Sequence, residues 1–172
     1  MLELKKADKN DLPVILSIVE DGIISLKKQG LPQWQNGYGP QENQLLTDID
    51  KRESYLLMVD GEIYGTAALV SGVDDVYTAI KDGHWSESDG EYRSIHRFAL
   101  AAKATGKGYA KRFLHLLAES AQKSGYNDIR VDTHPENIKM QKAILGAGFT
   151  YRGMVEFPIP DGKRKAYQII MP

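Results

Sequence analysis

None of the 172 residues is a cysteine. That excludes disulfides, thiolate metal sites and a cysteine nucleophile, so any thiol in the chemistry has to arrive with a cofactor. An excess of charge is missing too. The chain sets 22 Lys and Arg against 23 Asp and Glu, for a net charge of −1. This gives no bulk attraction to nucleic acid or to an anionic membrane, and any anion site must be a local cluster. No apolar run approaches the roughly 18 residues that a membrane span needs. The opening MLELKKADKN alternates charge with short apolar steps where a secretion leader would carry an apolar block, so a cytoplasmic protein is expected. Internal repeats and low-complexity tracts are absent. The length suits one domain over residues 1–172, long enough to bury a core without staples.

What the chain does contain is a series of strand and helix periods. Leu2–Lys6 alternates like a strand, and residues 11–29 then place Leu12, Ile15, Leu16, Val19, Ile23 and Leu26 at helical spacing. A second helix is predicted over 41–51, and a hairpin over 55–59 and 63–70, turning at Asp60-Gly61. Residues 92–101 read as a strand with Tyr92, Ser94, His96, Phe98 and Leu100 on one face. From 108 to 124, Ala110, Phe113, Leu114, Leu117 and Ala121 repeat at helical spacing, with Gly125 placed to end the helix. A strand over 129–133 precedes a helix whose start is signalled by Thr133 and Glu136 at capping-box spacing. Strands over 149–155 and 165–170 close the chain around Pro160-Asp161-Gly162. Segments 30–41 and 71–90, rich in Gly, Pro, Asn and Asp, read as irregular loops over a site.

Thr105, Gly106, Lys107, Gly108, Tyr109 and Ala110 lie between a strand and the most strongly patterned helix. Backbone N–H groups at such a helix start form an anion site, and glycines let a pyrophosphate approach the backbone closely. The helix start also brings Lys107, Lys111 and Arg112 together, with no acid before Glu119. Helix first turns ordinarily favour Asp or Glu. A glycine turn whose lysines stay in water satisfies the same residues. The Walker pattern and the dinucleotide fingerprint both fail here, for want of a following Gly-Lys-Ser/Thr and of a third glycine.

The stretch TGKGYAKRFLHLLAESAQKSGYNDIRVDTHPEN, followed by a helix and GAGF, resembles the core of the GNAT superfamily of acetyl-CoA-dependent N-acetyltransferases. Members carry an Arg/Gln-x-x-Gly-x-Gly/Ala pyrophosphate loop, a helix, a strand, an Asn-initiated helix and a Gly-Phe step. Gly108, Ala110, Asn137 and Gly148-Phe149 match that pattern, while Thr105 stands where the family has Arg or Gln. The detailed match covers about residues 92–155. The resemblance implies a mixed α/β fold: a twisted sheet of six or seven strands, splayed between its two central strands and flanked by about four helices. It further implies that the backbone of Phe98, Ala99 and Leu100 pairs with the pantetheine arm, that the Leu100 N–H serves the oxyanion, and that Asn137 contacts the cofactor, although an Asn near a helix start is equally well explained as a backbone cap. The cation cluster suits the phosphates of coenzyme A.

Acetyl transfer needs a neutral amine, a donor for the developing oxyanion and a proton for the departing thiolate. Candidate bases are His96, Asp132 and His134. Beside each stands a plainer reading: His96 as a hydrogen-bonded sheet residue, Asp132 as a turn carboxylate and His134 as a loop anchor. Many members use a tyrosine as the acid, but here that position is Ile144, so Tyr109, Tyr151 or water takes the role. Trp34, Tyr77, Trp85 and Tyr92, in or beside the irregular segments, are candidates for the acceptor cleft, with Tyr38 near them. Asp74, Asp75, Asp82, Glu87 and Asp89 suit a cationic amine. The expected reaction moves acetyl from acetyl-CoA to a primary amine of a small molecule or peptide, with no metal, nucleic acid or membrane partner, in a monomer or homodimer. The alternatives are a coenzyme A-binding regulator without catalysis, and an acyltransferase with another donor or acceptor.

Overall fold

Strands and helices follow one another in the predicted order, with three short additions. The computed structural model describes residues 1–88 and 90–172; Asp89, one of the acids of segment 71–90, lies outside the described residues. The elements are β1 (Leu2–Lys6), α1 (Leu12–Lys28), α2 (Glu42–Asp50), β2 (Ser54–Val59), β3 (Glu62–Val70), α3 (Asp75–Thr78), β4 (Tyr92–Leu100), α4 (Tyr109–Lys123), β5 (Asp128–Thr133), α5 (Ile138–Gly146), β6 (Thr150–Glu156) and β7 (Lys163–Ile170). Single 3-10 turns at Lys9–Asp11 and Ala102–Ala104 and the four-residue α3 are the additions. The seven strands are hydrogen-bonded in the order β1-β2-β3-β4-β5-β7-β6, which makes this a mixed α/β protein. None of the described helices is long and apolar enough to cross a membrane.

The chain forms two compact units, and β4 contributes to both. The first comprises Met1–Val70 and His96–Tyr109. Here β2 lies antiparallel between β1 and β3, with Leu2 opposite Val59 and Ser54 opposite Ala68. The β2–β3 turn places both Asp60 (φ 49°) and Gly61 (φ 81°) in the left-handed region, as a tight hairpin matched to strand twist demands. Ile15 and Val19 of α1 meet Leu45 and Ile49 of α2 over Leu56 of β2. Ile18 packs with Ala99 and Ala101, and Trp34 covers that cluster.

The second unit comprises Ser71–Ile95 and Ala110–Pro172. Residues Tyr92–Ile95 of β4 run parallel to β5, with Tyr92 opposite Asp128 and Ile95 opposite Val131, and the ladder goes no further among the described residues. That parallel pairing ends where the resemblance puts the splay. β7 lies antiparallel between β5 and β6. The helical stripe of α4 is buried at Phe113, Leu114, Leu117, Ala118 and Ala121. The helix stops at Gly125 (φ 94°), where the Tyr126 N–H donates back to the Ala121 carbonyl, a left-handed helix ending.

Three sequence expectations change. Segment 71–90 is not wholly irregular, because Asp74 caps α3 by accepting from the Val76 N–H at 3.0 Å. The last helix starts at Ile138, not near Thr133, because the Asn137 side chain accepts from the Met140 N–H at 3.1 Å and outcompetes the Thr133 signal. The strict alternation predicted for β4 breaks at Arg97, whose φ of 50° is left-handed. Phe98 and Leu100 therefore do not simply continue the face of Tyr92, Ser94 and His96.

Candidate active site

In the first unit the segment between β4 and α4 is built to hold a backbone loop open. The Asp21 carboxylate of α1 accepts from the Ala102 N–H at 2.9 Å, and Ala104 is buried at 1% exposure, which anchors the entry. The exit is held by Tyr109, whose ring meets Tyr64 edge to face at 5.5 Å. Lys103 lies over the Tyr64 ring at 4.6 Å and 3.5 Å from Glu62. Between these anchors Gly106 (φ 76°) and Gly108 (φ 73°) are both left-handed, and a Cβ added at either would meet nothing within 4 Å. Open space above two glycines, directly before a helix with no acid in its first turn, is the arrangement in which unpaired helix N–H groups receive an anion. Thr105 and Lys107 are exposed.

The same unit holds β4 in its bent course. Arg97 Nε and Nη2 donate to the two Asp48 oxygens at 2.6 and 2.7 Å, and Asp48 is buried on α2 at 5% exposure. His96 and Phe98 are half-buried, Ala99 is buried and Leu100 is half-buried. Trp34 takes a left-handed φ of 65° and lies where a Cβ on Gly22 would meet its ring at 3.2 Å. It packs on the cluster that contains Ala99.

In the second unit a polar network surrounds the end of β5. The Tyr77 hydroxyl donates to Asp132 Oδ2 at 2.6 Å. Tyr77 is fully buried, and burial first, then the Asp132 charge and this hydrogen bond, hold its phenol well above the ordinary value. It therefore stays protonated and remains the donor. Arg164, also buried, is pushed down by desolvation and pulled back up by the charges of Asp132 and Asp161. Its Nη1 donates to the carbonyls of Asp161 and Lys163, both at 2.8 Å. His134 is 3% exposed, and the Glu136 N–H donates to its Nδ1 at 3.1 Å. The proton is thus assigned to Nε2, which donates to Asp161 Oδ2 at 3.0 Å. With both nitrogens engaged, His134 has the geometry of a loop anchor.

Segment 85–88 is strapped to the same unit. The Arg130 guanidinium lies 3.9 Å from the Tyr92 ring centroid and 4.4 Å from that of Trp85, and it pairs with buried Asp128 at 2.9 Å. Gln168, 0% exposed, accepts from the Ser86 N–H at 2.8 Å and donates to the Ser86 carbonyl at 3.1 Å. It also donates to Asp128 at 2.9 Å. Trp85 Nε1 donates to the Tyr77 carbonyl at 2.7 Å, and the Tyr92 hydroxyl accepts from the Asp74 N–H at 2.6 Å. Ala110 is half-buried on α4, where Lys111 and Arg112 are exposed. A Cβ on Gly146 of α5 would meet the Lys111 stem at 2.8 Å, so that glycine leaves room for the lysine.

The sequence model of the Acetyltransferase (GNAT) family matches residues 24–149. The chain belongs to the GNAT acetyltransferase family. It is therefore an acyltransferase. Among solved structures, a GNAT acetyltransferase from Streptococcus agalactiae is 32% identical, with a TM-score of 0.89, over 99% of this chain and 96% of that one. The aminoglycoside acetyltransferase AAC(6')-Ib, solved with coenzyme A, is 23% identical with a TM-score of 0.71, over 99% of this chain and 95% of that one. A GNAT acetyltransferase from Listeria monocytogenes is 17% identical with a TM-score of 0.76, over 99% and 95% of the two chains. The last two show the shared fold. No curated protein matches the chain.

In this GNAT acetyltransferase the structure links Asp132, Tyr77 and Trp85 by hydrogen bonds and Trp85 to Tyr92 through the Arg130 guanidinium, and it pairs His134 with Asp161. Trp34, His96 and the glycine loop belong to the other unit. Tyr77 offers no exposed aromatic surface, because its ring lies in the cluster with Val155 and Ala166. Ile144, at the position of the family's tyrosine acid, is 0% exposed, so a tyrosine there would overpack the core. Of the possible substitutes, Tyr109 meets Tyr64 edge to face, and Tyr151 is 43% exposed beside Tyr167. The periods gave no warning of Gln168, Asp48 or Arg164. A polar residue inside an otherwise apolar strand, as in the run AYQII, was the one available signal for Gln168.

Proposed function

We propose that this chain moves an acetyl group from acetyl-CoA to a primary amine of a small molecule or peptide by direct attack. The neutral amine adds to the thioester carbon, the new C–N bond replaces the C–S bond, and the amine's proton passes to a protein base or water while the thiolate is protonated on leaving. One observation carries the reading: Gly106 and Gly108 are both left-handed with open space above them, directly before a helix start free of acids. In this account the loop from Thr105 to Ala110 receives the pyrophosphate, Lys107 and Lys111 supply cations, and Phe98, Ala99 and Leu100 offer backbone to the pantetheine. Asn137 adds a cofactor contact to its capping role. Asp132 receives the acceptor ammonium, with His96 as the alternative base. Trp34 in the first unit is offered as one acceptor contact, and Trp85 and Tyr92, held by the Arg130 stack in the second, as others. Residues 1–172 work as one acetyltransferase domain, a reading supported by a family match that spans sequence from both units.

Acids Asp75, Asp82 and Glu87 are exposed and suit a cationic acceptor. AAC(6')-Ib, solved with ribostamycin and coenzyme A, offers a precedent for that class. The buried Ile144 favours a second reading, a coenzyme A-binding regulator without turnover. The test of the loop assignment is ligand choice. Lys107→Ala with Lys111→Ala is expected to weaken coenzyme A far more than dephospho-CoA if the 3′-phosphate docks there, measured by calorimetric titration. Equal losses for the two ligands contradict that docking, and no loss for either contradicts the loop site.

A further inference from the structure

We propose that Tyr77 is a positioning residue for the acceptor side of the reaction: its buried hydroxyl fixes the direction of the Asp132 carboxylate, and segment 85–88 fixes Tyr77. The inference rests on the reading of Asp132 as the group that receives the acceptor ammonium.

The first ground is the cost of the hydroxyl. Tyr77 is 0% exposed among Val155, Ala166 and Trp85, an apolar socket that phenylalanine would fill without desolvating a polar group. A buried hydroxyl is unfavourable unless it is hydrogen-bonded. Here it ends 2.6 Å from Asp132 Oδ2, inside the range of a charge-assisted O–H to carboxylate bond. The second ground is where Asp132 stands. It is the penultimate residue of β5, beyond the parallel ladder that ends at Val131, and it is half-buried. An ammonium is met best by a carboxylate already held in one geometry, and the bond from the buried phenol helps to hold Asp132 Oδ2 in place.

The third ground is how firmly the phenol is held. Trp85 Nε1 donates to the Tyr77 carbonyl, and the indole is stacked on Arg130. The next residue, Ser86, is gripped through both its N–H and its C=O by Gln168. Gln168 uses all four of its hydrogen-bonding directions, the fourth accepting from Arg152 Nε at 3.0 Å. Hydrogen bonds from a fully buried amide on β7 to Ser86, from the adjacent Trp85 to the Tyr77 carbonyl, and from the Tyr77 hydroxyl to Asp132 are thus joined through the covalent chain.

The experiment is a double-mutant cycle of Tyr77→Phe and Asp132→Asn. Turnover is measured with the best substrate among spermidine, kanamycin and a lysine-containing peptide, alongside the KM for acetyl-CoA. Tyr77→Phe is expected to lower kcat/KM for the amine about tenfold, the scale of a hydrogen bond to a charged group, with the acetyl-CoA KM unchanged. In the Asp132→Asn background the same substitution is expected to add no further loss. A full additional loss there, or an unchanged amine kcat/KM in Tyr77→Phe while Asp132→Asn lowers it, overturns the inference and leaves the reading of Asp132 standing. If Asp132→Asn leaves kcat/KM unchanged, that reading fails and the inference with it. Should Tyr77→Phe not fold, the proton NMR signal of the Tyr77 hydroxyl decides: it is expected to move upfield in Asp132→Asn, and an unmoved signal overturns the proposal.

Discussion

Arg97 and Asp48 form a forked ion pair, Nε to Oδ2 at 2.6 Å and Nη2 to Oδ1 at 2.7 Å, across which a left-handed residue of β4 is tied to α2. The pair is largely removed from water, with side-chain exposures of 22% and 8%. Removing one partner leaves the other's charge desolvated, and Asp48→Ala is expected to cost about 3 kcal/mol in urea denaturation. At position 97 the backbone adds a second effect. Arg97→Gly and Arg97→Ala lose the same pair, but only alanine keeps the left-handed penalty, so the glycine variant should be more stable by about 1 kcal/mol. Equal stabilities would contradict the left-handed assignment.

Gly83 tests how segment 71–90 is seated. A Cβ there would lie 1.8 Å from the Arg152 carbonyl oxygen and 2.8 Å from its carbon, both backbone atoms that cannot turn aside. Close by, Lys81 and Met154 exchange two backbone hydrogen bonds at 2.8 and 2.7 Å. Gly83→Ala is expected to cost about 1–3 kcal/mol and to strip hydrogen-exchange protection from those two amides. Gly61→Ala, left-handed but with nothing within 4 Å, should cost only the strain of about 1 kcal/mol. Retained protection in Gly83→Ala would refute this seating.

Alkaline stability follows from two tyrosines. Burial raises the phenols of Tyr77 and Tyr167 in the folded chain, helped by Asp132 at the first and Tyr151 at the second. Between the unfolded value of about 10 and the higher folded values, the unfolded chain has lost protons that the folded chain keeps. Stability contributed by these groups is therefore full below about pH 10 and falls as pH rises above it. Melting temperatures measured from pH 8 upward should show that decline, and Tyr77→Phe should make it shallower. An identical slope in the variant contradicts the buried, protonated phenol.

Elements with a complete local signature were legible in the sequence. Leu2–Lys6 and the Asp60-Gly61 hairpin depend on alternation and a turn dipeptide, and α4 on an apolar stripe ended by Gly125; the structure keeps all three. Gly106 and Gly108 marked a turn before α4 in the sequence, and both are left-handed in the structure, a conformation glycine adopts without strain. What stayed hidden depends on distant partners. Nothing near Arg97 announces a left-handed φ, and its charged partner is a carboxylate 49 positions away. Tyr77 read as a loop aromatic, yet it is buried because Trp85, Val155 and Ala166 enclose it. The start of α5 was misplaced because two capping signals competed within five residues, and Asn137 prevailed over Thr133.

The central claim is acetyl transfer dependent on the glycine loop, and the most direct measurement is product formation with radiolabelled acetyl-CoA and a panel of primary amines. Free thiol and N-acetylated amine, the latter identified by mass spectrometry, are predicted to appear in equal amounts. Gly108→Glu, checked for folding by its melting temperature without ligand, should abolish both products and the stabilisation by acetyl-CoA, because a carboxylate would occupy the phosphate position. Coenzyme A binding without any acetylated amine across the panel, or undiminished transfer by a folded Gly108→Glu protein, would contradict the account.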